Sequence, residues 1–487
     1  YNLSFNGAEM NYQIGLYSVL FISLVATILL SVFNLVAWYI LLLVFGLPQI
    51  VFVIFDLVRK SKTPLVITAR VIRYFVIFTI FTLGCFGGIY YLSIYLNLSI
   101  FYLVWINFLL TPLVVRFAFL LISPLEKHIQ NKYFNNAVKK LDEFKNLVKI
   151  GITGSYGKTS VKNIMATILN ESFNVVKSPY SYNTPMGLAK SVNEITDETE
   201  IFIMEIGARK IGDVAKIAQA LKPQVGVITG IAGQHLKTFG SIEDVMRGKY
   251  ELIEALDTNG IAVFNGENSR VKNMYERCSL QNKVLTSIDS GKVCVENLIT
   301  TTEGTFFDLK IGDSVRSCRT KLIGRHNIEN ILLAVTVATG LGMDIDSISY
   351  GIEKLEFTPH RLEVMDANGI TIIDDSYNCN EVGVKVALDT LSMFDSRKVV
   401  LCQGIVEGGE KEDEINYNIG VKMSGVADIA ILVGKLAYKV QKGLIDSGYN
   451  PTRIIKYKNL REAQTAFKET LRAGDVLLLL NDLPDNY

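Results

Sequence analysis

The stretch GITGSYGKTSVKN, residues 151 to 163, decides how the chain is divided. VKIGIT before it (148–153) is a short apolar run of β type, and VKNIMATILNES after it (161–172) has helical periodicity. Strand, glycine loop and helix is the context of a phosphate cradle, in which backbone N–H groups at a helix N-terminus face the anion. Gly154 and Gly157 would let the backbone of Ser155 and Tyr156 approach phosphate. Lys158 would reach the β- and γ-phosphates, and Thr159, followed by Ser160, would offer its hydroxyl to Mg²⁺. The strict G-x-x-x-x-G-K-[ST] pattern wants glycine at 152, where Ile152 stands, so the run also reads as an ordinary turn.

What precedes this loop is unusually apolar. No charged residue occurs from Asn11 to Phe55 or from Tyr74 to Val115. A membrane-crossing helix needs about 20 apolar residues, and each stretch has room for two. The expectation is therefore four helices near 12–31, 34–55, 73–94 and 99–121, against the alternative of a buried hairpin. The 56–73 loop holds five Lys/Arg against Asp56 alone, which makes it the cytoplasmic loop of two hairpins. A multi-pass protein of the plasma membrane follows, with the catalytic domains on the cytoplasmic side. Residues 126–147 read as an amphipathic linker, whose lysines either touch headgroups or are simply solvated. The expected division is 1–125 transmembrane, 126–147 linker, 148–357 ATP-binding and 358–487 C-terminal.

With 487 residues and a net charge of +1, no global basic field points to nucleic acid. Residues 1–125 carry +4, from six Lys/Arg and two Asp/Glu, so the remainder carries −3. Six cysteines without C-x-x-C spacing suit buried thiols better than a disulfide framework or a zinc site. After residue 390, apolar runs such as KVVLC, IAILV and DVLLLL alternate with helical segments, which is the pattern of a small doubly wound α/β domain.

The phosphate loop is one of six motifs in order, with IFIMEIGARKIGD (201–213), VITGIAGQHLKTFGS (227–241), RGKYELIEAL (247–256), GRHNIENILLAV (324–335) and RLEV…IIDDSYNCN (361–380). Together they resemble the Mur ligases, the ATP-dependent amide-forming enzymes of cell-wall peptide synthesis. MEIGAR and DDSYNCN are most similar to the branch that adds D-alanyl-D-alanine. The resemblance implies an α/β fold with a P-loop central domain and a C-terminal domain. It implies ATP and Mg²⁺ as cofactors, and activation of a carboxylate as an acyl phosphate for attack by an amine.

On the matching residues it implies metal ligation by Thr159, Glu205, His235 and Lys249, the lysine carbamylated. Lys158, His235 and Lys249 become the catalytic set. Asn327 would contact adenine with His326 beside it, Arg361 the phosphates, and Asp375, rather than Asp374, the ribose. Asn183 and Thr184, in SYNTPMG, would face the acceptor, although Asn, Pro and Gly also make a plain turn. A UDP-gripping domain expected of that branch is replaced here by the apolar segment. That departure suggests a wall precursor held at the membrane, with membrane lipid as a partner and an amino acid or dipeptide as donor. The acids near the end, Asp482 and Asp485, suit an amine. The alternatives are a poly-amino-acid or pseudomurein-type ligase, or a non-catalytic membrane scaffold.

Overall fold

The computed structural model describes residues 68–96, 100–233, 236–377, 380–406 and 411–480. They divide into two units, 68–132 and 133–480.

In the first unit, helix α1 spans Ala69–Tyr95 and begins at Thr68, whose hydroxyl accepts from Val71 N at 3.3 Å. Helix α2 starts at Ile100 and runs unbroken to Glu143. Arg73 Nε meets Glu126 Oε1 at 2.6 Å across the pair, and the carboxylate is almost wholly buried. Phe81 and Phe117 pack edge to face with ring centres 5.3 Å apart.

These helices overturn the membrane expectation. Among the described residues no helix is long and apolar enough to cross a membrane. The supposed span 99–121 does not end there: it is the first half of a 44-residue helix that continues into charged sequence. The supposed span 73–94 lies in a helix whose first turns carry Arg70 and Arg73, drawn onto Glu126 of α2. The multi-pass placement, the cytoplasmic orientation and the lipid-held acceptor lose their basis with that expectation. The helices expected at 12–31 and 34–55 lie outside the described residues.

The second unit begins with strand β1, Val148–Thr153. β2 (Val175–Lys177), β3 (Ile201–Glu205), β4 (Val225–Ile228), β5 (Ile261–Asn265) and β6 (Lys283–Thr286) complete a parallel sheet in the order β2-β3-β1-β4-β5-β6. Every residue of IFIME and VGVI is buried, as both-sided burial requires of a parallel strand. One face is covered by α3 (Lys158–Leu169) and later helices, with Ile164, Met165 and Ile168 in the core. The end of α2, α4 (Pro185–Ser191), α5 (Asp213–Leu221), α6 (Ile242–Glu254) and α7 (Ser269–Arg277) supply the core on the other face. An antiparallel meander follows, β7 (Val293–Thr301), β8 (Gly304–Ile311) and β9 (Ser314–Thr320). Helices α8 (Arg325–Gly340) and α9 (Ile345–Glu353) return to the first core.

The last six strands form a second sheet. β10 (Glu363–Ala367) and β11 (Ile370–Asp375) are an antiparallel pair; β12 (Lys398–Cys402), β13 (Ile429–Val433), β14 (Ile454–Tyr457) and β15 (Val476–Leu480) add in parallel. The order is β10-β11-β15-β12-β13-β14, flanked by α10 (Glu381–Ser392), α11 (Glu412–Ser424) and α12 (Ala437–Asp446). The α/β central and C-terminal parts therefore stand as expected. The expectation named no antiparallel elements, and the structure adds the meander and β10.

Helices α11 and α12 cross where two glycines face backbone. A Cβ on Gly420 would lie 2.0 Å from the Val440 carbonyl oxygen, and one on Gly443 would lie 2.0 Å from that of Tyr417. Neither helix can yield without moving whole, so Gly420→Ala should cost about 3 kcal/mol or more in a urea melt. A change under about 1 kcal/mol would show that the crossing is looser than described.

Candidate active site

The turn between β1 and α3 is built for close approach. Gly157 caps α3 at φ 79°, where a side chain is disfavoured. A Cβ on Gly154 would stand 2.1 Å from Thr229 Oγ1. Ser155 N donates to Gly230 O at 2.7 Å and its hydroxyl to Ala232 O at 3.1 Å, pinning the turn to the loop after β4. The Tyr156 ring lies over Gly230, where a Cβ would come within 2.4 Å of it, and its hydroxyl accepts from Asn268 Nδ2 at 2.9 Å. Lys158 curls over the turn, donating to Gly154 O at 2.8 Å. Burial lowers the pKa of its amine, the charge of Arg361 lowers it further, and Glu205 opposes both. Ser160 is half-buried on the first turn of α3.

At the end of β3, Glu205 is 1% exposed and is the hub of the site. Thr159 Oγ1 donates to its Oε2 at 2.8 Å and Asn183 Nδ2 to its Oε1 at 3.0 Å. The buried Lys162 ammonium stands 3.5 Å from Oε2. Lys162 lies outside the loop motif, although its spacing from Lys158 and Thr159 puts all three on one helix face. Thr184 is a helix cap: its hydroxyl accepts from Gly187 N at 3.3 Å at the start of α4.

Lys249, on α6, is 3% exposed and forms no hydrogen bond or ion pair among the described residues. Burial first, then the charge of Lys158, lowers its pKa from 10.5 to about 7, against the pull of Asp213, Glu205 and Glu251. In the unfolded chain the amine keeps its proton up to about 10.5, so between pH 7 and 10.5 the unfolded state binds more protons. Stability contributed by this site therefore rises with pH across that window. Lys249→Met should flatten the slope of unfolding free energy against pH; an unchanged slope would place the amine in water. His235 lies outside the described residues.

The remaining candidates come from later in the chain. Gly324, at φ 99°, opens α8, and Asn327 Nδ2 donates to Ile323 O at 2.9 Å. His326 Nδ1 is buried without a partner among the described residues, and burial lowers its pKa to about 4. Arg361 stacks on Tyr377, its guanidinium carbon 4.5 Å from the ring centre. Asp375 is buried at the end of β11; its neighbour Asp374 accepts from Ser376 N at 3.0 Å and pairs with His360 Nδ1 at 2.7 Å. The structure thus gathers Thr159, Asn183 and Glu205 directly, and brings the charge of Arg361 to bear on Lys158 and that of Lys158 on Lys249.

A phosphate-type loop on a parallel sheet, followed by a second α/β sheet, defines a nucleotide-dependent ligase architecture. Residues 152–338 match the Mur ligase middle domain, and 360–481 the Mur ligase glutamate ligase domain. The chain belongs to the Mur ligase family of ATP-dependent peptide ligases.

It is similar to the UDP-N-acetylmuramoyl-tripeptide–D-alanyl-D-alanine ligase of Bacillus subtilis, 26% identical over 333 residues, which are 68% of this chain and 72% of the relative. The Escherichia coli enzyme of the same name is 28% identical over 296 residues, 60% of this chain and 65% of that one. The chain thus spans about two thirds of these relatives' length. Among solved structures, MurF from Acinetobacter baumannii superposes with a TM-score of 0.66 at 22% identity, covering 72% of this chain and 77% of that one. MurF from Thermotoga maritima in complex with ADP gives 0.64 at 24% identity, covering 72% and 80%. These superpositions speak to the fold.

Proposed function

We propose that the chain joins the amine of D-alanyl-D-alanine, or a similar dipeptide, to the terminal carboxylate of a UDP-N-acetylmuramoyl-tripeptide. In this reading the catalytic part comprises a central ATP-binding domain, 148–357, and a C-terminal domain, 358–487. The observation that carries it is Glu205, held by Thr159 on one side and Asn183 on the other, one helical turn from a phosphate-type loop. The names of the relatives supply the substrate class.

The residues fit the groups they would hold. A Cβ would fill the cradle at Gly154, and the buried His326 Nδ1 has no described partner, as a base-facing atom would not before a nucleotide arrives. Hydroxyl and carboxylate oxygens suit Mg²⁺. Thr159, Glu205, His235 and a carbamylated Lys249 would hold the metal; Asn327 and His326 would flank adenine, and Asp375 the ribose.

ATP supplies the phosphoryl group that converts the acceptor carboxylate to an acyl phosphate, and Mg²⁺ offsets the spreading charge. Lys158 and Arg361 add fixed positive charge where the phosphates would lie. With its pKa lowered to about 7, the Lys249 amine is neutral in about half of the molecules near pH 7, and the neutral form can add to CO₂, losing a proton to become an anionic carbamate, which an ammonium cannot do. Asn183 and Thr184 would orient the acceptor so that the amine attacks the acyl carbon, phosphate leaves and the amine sheds a proton.

The test supplies ATP, Mg²⁺, the UDP-linked tripeptide and D-alanyl-D-alanine, and follows ADP and the mass of the UDP-linked product. ADP release that needs both substrates, with a product heavier by one dipeptide, is expected. Equal ATP hydrolysis without either substrate would overturn the proposal.

A further inference from the structure

Lys162 has no exposed surface. A buried ammonium costs several kcal/mol unless its partners are well placed, so where it points carries information. Besides its 3.5 Å approach to Glu205 Oε2, its Nζ donates to the backbone carbonyl of Tyr180. Those partners belong to different segments: Glu205 ends β3, and Tyr180 lies in the 178–184 loop.

That loop is tied to Glu205 by two further links. Asn183 Nδ2 donates to Glu205 Oε1 at 3.0 Å, and Glu205 N donates to Ser178 Oγ at 3.2 Å. Tyr180 itself sits at φ 44°, a conformation unfavourable for a residue with a side chain, while the residue is 82% exposed. Strain of that kind persists where surrounding contacts impose it, and here two hold the segment: Tyr182 N donates to Pro179 O at 3.0 Å across the turn, and the lysine holds the Tyr180 carbonyl. The opposite side of Glu205 is held by Thr159, in the first turn of α3 beside the phosphate-type loop.

We propose that Lys162 is a positioning residue that couples the 178–184 loop to the phosphate-loop side of the site through Glu205. Positive charge arriving at Glu205 weakens its hold on the ammonium. Tyr180's carbonyl is then the principal acceptor left in a pocket closed to water, and the loop is drawn down onto α3. The linkage is reciprocal: whatever orders the loop favours the cation-loaded state of Glu205 by the same factor. This rests on the reading above only for the identity of the nucleotide and cation.

Hydrogen exchange followed by peptide mass tests it, with Mg²⁺–ADP as the probe. In the wild type, Mg²⁺–ADP should slow exchange in 151–160 and, by about fivefold or more, in 178–184. ADP without Mg²⁺ should act on 151–160 alone. In Lys162→Met the protection of 151–160 should persist while the response of 178–184 is lost. Lys162→Gln, which keeps a donor without the charge, should do the same if the methionine variant does not fold. A merely structural lysine would instead leave the Mg²⁺-dependent difference intact while speeding loop exchange in every state. That pattern overturns the proposal, and so does a wild-type loop that ignores Mg²⁺–ADP while 151–160 responds. Absence of any response at 151–160 would instead sink the nucleotide reading, and this proposal with it.

Discussion

Lys158→Ala is expected to lower ATP-driven ligation by about three orders of magnitude, while shifting the unfolding free energy by less than about 1 kcal/mol. The ammonium is desolvated and, among the described residues, bonded only to loop carbonyls of Gly154 and Ser155, so its removal relieves a buried charge and leaves the core untouched. Its contribution falls instead on the transferring phosphoryl group, where a fixed cation in a water-poor site acts strongly. A second signature separates this from a general disturbance. Lys158 is the largest electrostatic influence lowering the Lys249 pKa. The variant should therefore move the pH at which Lys249 loses its proton upward from about 7, measurable by ¹³CO₂ labelling and NMR of the carbamate. A loss smaller than about tenfold, with no shift in that titration, would remove Lys158 from the site.

Gly154→Ala should weaken ADP binding by about a hundredfold, and Thr229→Ala in the same chain should restore a large part of it. The added methyl would meet Thr229 Oγ1 at 2.1 Å. That hydroxyl cannot simply turn away, because it donates to the carbonyl of Tyr156 inside the loop. The loop must open, and its N–H groups then no longer converge on one anion. Deleting the hydroxyl removes the obstacle, so the two changes should be strongly non-additive in a double-mutant cycle read by calorimetry. Simple additivity would mean that the loop fails for another reason, the backbone of Gly230 at 3.1 Å being the next obstacle.

Much of this site was legible because its signals are local. A glycine pair between an apolar run and a helical one fixes where a βαβ turn falls, and a carboxylate closing a wholly apolar strand must emerge at the sheet's C-terminal edge. Lys162 was illegible because a lysine in a helix reads as solvated. Only the path of the 178–184 loop, a tertiary fact, closes over it. Thr184 shows how one residue carries two readings, since a Thr-Pro-x-Gly run names a helix cap as readily as a ligand, and its hydroxyl accepts from Gly187 N at the start of α4. The uncharged run 74–115 misled for a related reason: it stands out for its lack of charge, whereas the helices that hold its described residues extend into Arg70, Arg73 and Glu126, whose charges pair with each other.

Strand β15 is inserted between β11 and β12, although it follows them by roughly a hundred and by about seventy residues of sequence. Val476, Leu478 and Leu480 on one face and Leu477 on the other fill cores that β11 to β14 cannot close among themselves. During synthesis the C-terminal sheet must therefore wait, as two separate halves with an open seam, until residues 476–480 have left the ribosome. Over that interval the seam is a landing place for chaperones or for the same strand of a neighbouring nascent chain.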